Sequence, residues 1–200
     1  CPDRNRVGSP PPERSTTMGV PTSATYDLVR VAVREAARSA WDDLRSVHPS
    51  ESFYYFGLAT TAQSHRPAPT AASYDGLART VAGYRHQGVE LLPDELRWSE
   101  LESPFAFFGD THFREVERLF DGLGDPFERS AAVNGRLREA MVAALADLDA
   151  DGVFGVGVQR EAVVVNVTVP GDGDAALELA SARRLNPPAA LDRYEDDRAL

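Results

Sequence analysis

From Ser23 onward the apolar residues Leu28, Val29, Val33, Ala36, Ala37, Ala40, Trp41, Leu44 and Val47 recur three and four positions apart, with Arg30, Arg34, Arg38, Asp42 and Arg45 mostly between them. This period lays one apolar stripe along a helix, which the His48-Pro49 pair ends. The next stretch, Phe53 to Ala62, crowds aromatic and β-branched residues together with Gly and Thr, and it predicts a central strand buried on both faces. Its rings are expected to alternate between two apolar layers. Prolines then extend "RPAPTAAS" into a second strand around Pro69 to Ala72, and Ser73 stands as the N-cap of a helix that carries Leu77, Val81 and Tyr84 and closes at Gly88.

The segment from Val89 to Gly109 is irregular, broken by Pro93 and Pro104, with a short strand expected around Leu96 to Ser99. Asp110 or Thr111 caps a helix through Phe120. After "DGLGDP" a longer helix is expected from about Pro126 to Leu148, stopped by Gly152. "EAVVVNVTVP" is β-branched throughout and reads as the clearest strand of the chain. Residues Ala175 to Leu185 form a short helix that "NPP" terminates. Helices and strands do not alternate along the chain as they do in doubly wound folds. The expectation is therefore a single α+β domain over residues 22–200, a small and mainly antiparallel sheet packed with about five helices. Residues 1–21, rich in Pro, Ser and Arg, lack apolar periodicity and read as a disordered tail.

Composition narrows the function classes. The 200 residues, 42% of them apolar, suffice for a core without metal or disulfide. A net charge of −10 argues against a nucleic-acid partner and favours a basic one. All 21 basic residues are arginine, a bias of high-GC bacterial coding that also removes Schiff-base and phosphate-loop lysines. Cysteine occurs once, at Cys1, so an intrachain disulfide or cysteine zinc site is excluded and a reducing, cytoplasmic setting is expected. The chain shows neither a long apolar run nor a basic-then-apolar leader, so no membrane span or signal peptide is read. Met18 offers a plain start for the product, ahead of a lipoprotein reading of Cys1.

Several motifs carry candidate chemistry. Asp147, Asp149, Asp151 and Gly152 match the opening of a calcium loop, but the position of the closing bidentate acid holds Val158, so a helix C-terminus with a left-handed glycine is the preferred reading. The glycine pairs of "GVFGVG" and "GDGDA" do not sit between a strand and a helix, and no nucleotide or other cofactor is called. The four histidines form no metal-ligand spacing, and no metal site is called. His48 and His86 lie at helix ends and read as surface residues. His65, in the loop after the aromatic strand, and Asp110 and His112, at a helix start, are the catalytic candidates should the protein be an enzyme, with Ser64 or Thr61 as nucleophile and Arg66 in support. Tyr55, His65, Arg66 and Trp98 are the candidate partner-binding residues, because polar-tipped aromatics suit an opening.

In order along the chain, "FYYFGLATT", "PTAASYDGL", Arg97-Trp98, "HFREVERLF", "LREAMVAALADLDADGVFG" and "RLNPP" together resemble a bacterial family of domains of unknown function, DUF4303-like, over about Tyr26 to Tyr194. The resemblance implies a stand-alone cytosolic α+β domain and supplies no catalytic residue to carry over. It points to an immunity-type or toxin-associated role, in keeping with a small acidic protein that meets a basic partner such as a toxin. The leading expectation is thus a non-catalytic protein-binding domain. The alternatives are a small hydrolase or transferase using His65, Asp110 and His112, and a small-molecule sensor lined by Phe53, Tyr55 and Trp98.

Overall fold

The computed structural model describes residues 21–171 and 175–198, and the expected tail lies outside them apart from Pro21. The elements in chain order are α1 (Ser23–Val47), β1 (Phe53–Ala59), β2 (Ala68–Ser73), α2 (Tyr74–His86), the single turn α3 (Pro93–Leu96), a 3₁₀ turn (Asp110–Phe113), α4 (Arg114–Asp121), α5 (Ala131–Ala150), the single turn α6 (Val158–Glu161), β3 (Val164–Thr168), α7 (Ala175–Leu185) and α8 (Pro188–Arg198). This is an α+β domain. Its three strands run in the order β2-β1-β3, antiparallel between β1 and β2 and parallel between β1 and β3, so the sheet is mixed.

The sheet is the middle of three layers. On one face Phe56, Leu58, Val165 and Val167 pack against the apolar stripes of α1 and α5. Trp41 is the hub there, with its ring edge-on to Phe53, Phe56 and Phe154 and its indole N–H donating to the Val153 carbonyl at 3.1 Å. On the other face Tyr54, Tyr55, Ala72 and Val164 pack against α2, α7 and α8. Strict alternation would separate Tyr54 from Tyr55. A bulge between Phe53 and Tyr55 inserts an extra residue and turns both tyrosines to the same side.

Both outer edges of the sheet are closed by groups that are not strands. Along β2 the irregular segment does this: Ser103 donates to the Ala71 carbonyl, Thr70 to the Glu100 carbonyl, and the Phe107 N–H to the Pro69 carbonyl. Along β3 the side chains of α7 and the residue after it do so. The Asn186 amide accepts from Val165 N–H and donates to the Val165 carbonyl, both at 2.7 Å. Ser181 accepts from Val167 N–H at 3.1 Å, and the buried Glu178 carboxylate accepts from Val169 N–H at 2.9 Å. Every second N–H of β3 and its exit points at that edge, and each finds a side-chain oxygen.

Four features differ from the sequence reading. No strand forms at Leu96–Ser99, where Pro93 instead opens the turn α3. The long helix begins at Ala131, with Ser130 accepting from Val133 N–H, because the preceding five residues form a separate turn. Asp110 caps nothing and binds Arg66 instead, a guanidinium fork outcompeting single backbone donors. Helix α8 was not expected, since among its described side chains only Ala190 and Tyr194 are buried and its period is correspondingly faint. Together with the two single turns it raises the described helices above the expected five.

Two of the calcium-like acids serve the packing of α1 on α5, and the third holds α6. Asp147 takes a two-pronged bond from Arg30, Asp151 accepts from Arg34 and Arg38, and Asp149 pairs with the buried Arg160. Gly152 follows at φ 73°, the left-handed helix end that the sequence pattern preferred.

Two measurements test this architecture. Replacing Asn186 by Ala leaves a buried strand N–H and C=O without partners and is expected to cost about 2–4 kcal/mol in urea unfolding. Arg30 hydrogen-bonds and attracts Asp147 and holds its carboxyl below the ordinary range, so its contribution is complete above the unfolded value near pH ~4. It disappears as pH falls through the lower folded value. Asp147→Asn is expected to cost about 1 kcal/mol at neutral pH and to flatten the acid limb of a stability-versus-pH curve.

Candidate functional site

Strands β1 and β3 are parallel, so their carboxyl ends lie side by side and the loop leaving β1 stands next to the exit of β3. Open sheets commonly place ligands at such ends. The loop leaving β1 carries the sequence candidates. Ser64 lies within it, fully buried and at φ 52°, a conformation that costs a non-glycine residue energy and is concentrated at functional sites. Its hydroxyl donates to the Asn134 carbonyl at 2.8 Å and receives a bond from Arg138 at 2.8 Å, while its carbonyl accepts from Arg129 at 3.2 Å. Arg138 also donates to the Ala62 carbonyl at 2.9 Å. Two guanidiniums of the α5 region therefore hold one strained serine.

His65 and Arg66 turn outward from this anchor. The Nδ1 of His65 meets the Thr61 hydroxyl at 2.5 Å, and its ring packs edge-on to Phe127 with centroids 5.6 Å apart. Arg66 grips Asp110 through both terminal nitrogens at 2.6 and 3.0 Å. His112 pairs instead with Asp43 of α1 at 2.7 Å. The three catalytic candidates are thus divided among separate pairs: His65 with Thr61, Asp110 with Arg66, and His112 with Asp43. Ser64 cannot be approached from solvent, and its proton is committed to Asn134.

His65 and Arg66 line a depression of about 260 Å³ together with Glu117, Phe120, Asp121 and Arg129. Burial lowers the Arg129 pKa, partly offset by Asp125, and the guanidinium lies 5.9 Å from the Phe120 ring centroid. Its Nε and Nη1 are buried without partners. Phe127, on the turn between α4 and α5, stands 74% exposed beside the depression, with the carboxylates of Asp121, Asp125 and Glu128 on exposed residues nearby in sequence. The helix expected from about Pro126 would have included Phe127, and the start of α5 at Ala131 leaves it outside.

The other two candidates lie across the sheet. Tyr55 is 4% exposed, and burial, with Glu100 nearby, pushes its hydroxyl pKa well up. Trp98 is half-buried and covers the tyrosines, its ring edge-on to Tyr54, Tyr55 and Tyr194 at 5.5, 6.1 and 5.0 Å. The Tyr55 ring folds over Gly57, where a Cβ would run into its hydroxyl.

A family model for a domain of unknown function, DUF4303, matches residues 33–187. The chain belongs to that family. The matched range of this DUF4303 domain runs from within α1 to the residue after Asn186, so it takes in the sheet, both edge closures and the Ser64 anchor. No curated protein and no solved structure matches it. No described helix is long and apolar enough to cross a membrane.

Gly57→Ala is expected to displace the Tyr55 ring, costing about 1–3 kcal/mol in chemical denaturation and changing the near-ultraviolet circular dichroism of the tyrosine–tryptophan cluster.

Proposed function

We propose that this domain is a cytoplasmic, non-catalytic binding protein of immunity or toxin-associated type, which captures a basic protein through the face formed by the loop after β1 and the turn before α5. The observation that carries this reading is Phe127, a large aromatic left 74% exposed on a folded turn and seated on His65. An exposed ring held in one orientation is a suitable interface anchor. The charge around it selects the partner. Glu117 and Asp121 line the adjoining depression, and Asp125 and Glu128 flank the ring in sequence. A Lys or Arg docked on Phe127 itself meets the flanking carboxylates while the ring offers its face to the cation.

Arg66 does not oppose such a partner strongly, because Asp110 already neutralises it. The net charge of −10 extends the attraction beyond contact distance and speeds encounter. The division of His65, Asp110 and His112 among separate pairs gives no comparable support to a hydrolase.

The test is affinity capture from the native lysate, with wild-type and Phe127→Ala proteins as parallel baits. A basic protein is expected on the wild-type bait at low salt, lost at about 0.5 M salt as screening shortens the reach of the charges. Phe127→Ala is expected to weaken its binding by about 1–2 kcal/mol, with folding stability within about 0.5 kcal/mol of wild type. Recovery of no basic protein, or equal binding by the variant, would rule the reading out.

A further inference from the structure

Residues of α5, α7 and the end of β3 line a second cavity of about 380 Å³, within the size range of small-molecule sites. Its walls are the apolar side chains of Val142, Val167, Val169 and Leu177. Gly135 and Ala180 leave it room, and a Cβ added at Gly135 would meet nothing within 4 Å.

Polar groups in the cavity are few and unequally occupied. Glu178 and Ser181 already receive the N–H groups of Val169 and Val167. Arg184 is paired with Glu139 at 2.5 Å. Arg138 is different. Its Nη1 is held by two neutral oxygens, the Ala62 carbonyl and the Ser64 hydroxyl. Its Nε and Nη2 have no partner among the described residues, and no carboxylate pairs with it. In this chain Arg30, Arg34, Arg66, Arg97, Arg160 and Arg184 all reach a carboxylate. A guanidinium oriented by neutral anchors, with the rest of its fork open, is preorganised for an anion.

We propose that this cavity binds a small amphipathic carboxylate, its head on Arg138 and its aliphatic body against Val142, Val167, Val169 and Leu177. One uncommitted cation sets the charge of the ligand at a single anionic head. The buried Glu178 on the wall disfavours a second negative group, which excludes polyphosphates. The strained, fully buried Ser64 has a purpose on this assignment: its hydroxyl fixes the guanidinium from behind. The cavity is separate from the Phe127 face and does not depend on it.

Isothermal titration with octanoate as probe tests the site, with octanol and acetate as controls for the head and the tail. Octanoate is expected to bind one-to-one, with octanol and acetate at least roughly tenfold weaker. Gly135→Leu fills the cavity from a helical position with open space. It is expected to keep or raise the melting temperature while abolishing octanoate binding. Arg138→Gln is expected to remove the preference for octanoate over octanol. Absence of octanoate binding to the wild-type protein, or undiminished binding to a folded Gly135→Leu, would overturn the site. Octanol binding as tightly as octanoate would overturn the role of Arg138. If Arg138→Gln does not fold, the Gly135→Leu and octanol comparisons decide the matter alone.

Discussion

The free edge of β3 is the constraint on which the rest of the molecule depends. A short, fully buried strand paired on one side only must find partners for the N–H and C=O groups of its other side, and water is not there to supply them. Here α7 lies along that edge and its side chains do the pairing together with Asn186 just after it, which mimics a strand residue by both accepting and donating. This places α7 and, through the following prolines, α8 against the second face. Arg160 reinforces the same corner, bridging Asp149 at the end of α5, the Val163 carbonyl before β3 and the Leu185 carbonyl at the end of α7. The polar contacts that close the sheet therefore also fix the walls of the cavity between α5 and α7.

Arginine links folding to surface character. With no lysine in the chain, the cations are planar forks, suited to paired carboxylates and to backbone carbonyls. Many of them join one element to another: Arg30, Arg34 and Arg38 lock α1 to α5, Arg66 ties the loop after β1 to the 3₁₀ turn, and Arg97 reaches Asp197 on α8. Individually such pairs near the surface add little stability. Collectively they set the helix registers and leave an excess of acids facing outward. The net negative charge and the arginine–carboxylate pairs between elements are two results of one composition.

Strong periods were legible from the residues. The stripe of α1, the aromatic β1, the β-branched β3 and the Ser73 cap all stand where the pattern put them, because burial of one face leaves a mark in the order of residues. Weak periods were not. Among its described side chains helix α8 buries only Ala190 and Tyr194, and α5 starts later than expected because the residues from Pro126, Phe127 among them, form a separate exposed turn. Among the candidate residues, the loop "QSHRP" was found for its unusual chemistry, whereas Arg129, Arg138 and Phe127 carried no local signal. An arginine beside a buried serine and an arginine beside water are the same letter.

The sequence by itself determined the α+β class, the strongly periodic segments α1, β1 and β3, the net negative charge, and the glycine-ended close of α5, since these follow from local spacing and summed charge. Tertiary structure alone decided which polar groups meet. The bulge that turns Tyr54 and Tyr55 to one face, the convergence of Arg129 and Arg138 on Ser64, and the division of His65, Asp110 and His112 among different partners each depend on contacts between residues far apart in the chain or on a single inserted strand residue. Hydrogen bonds act over about 3 Å. No spacing rule along a chain reports which distant groups folding will bring within that reach.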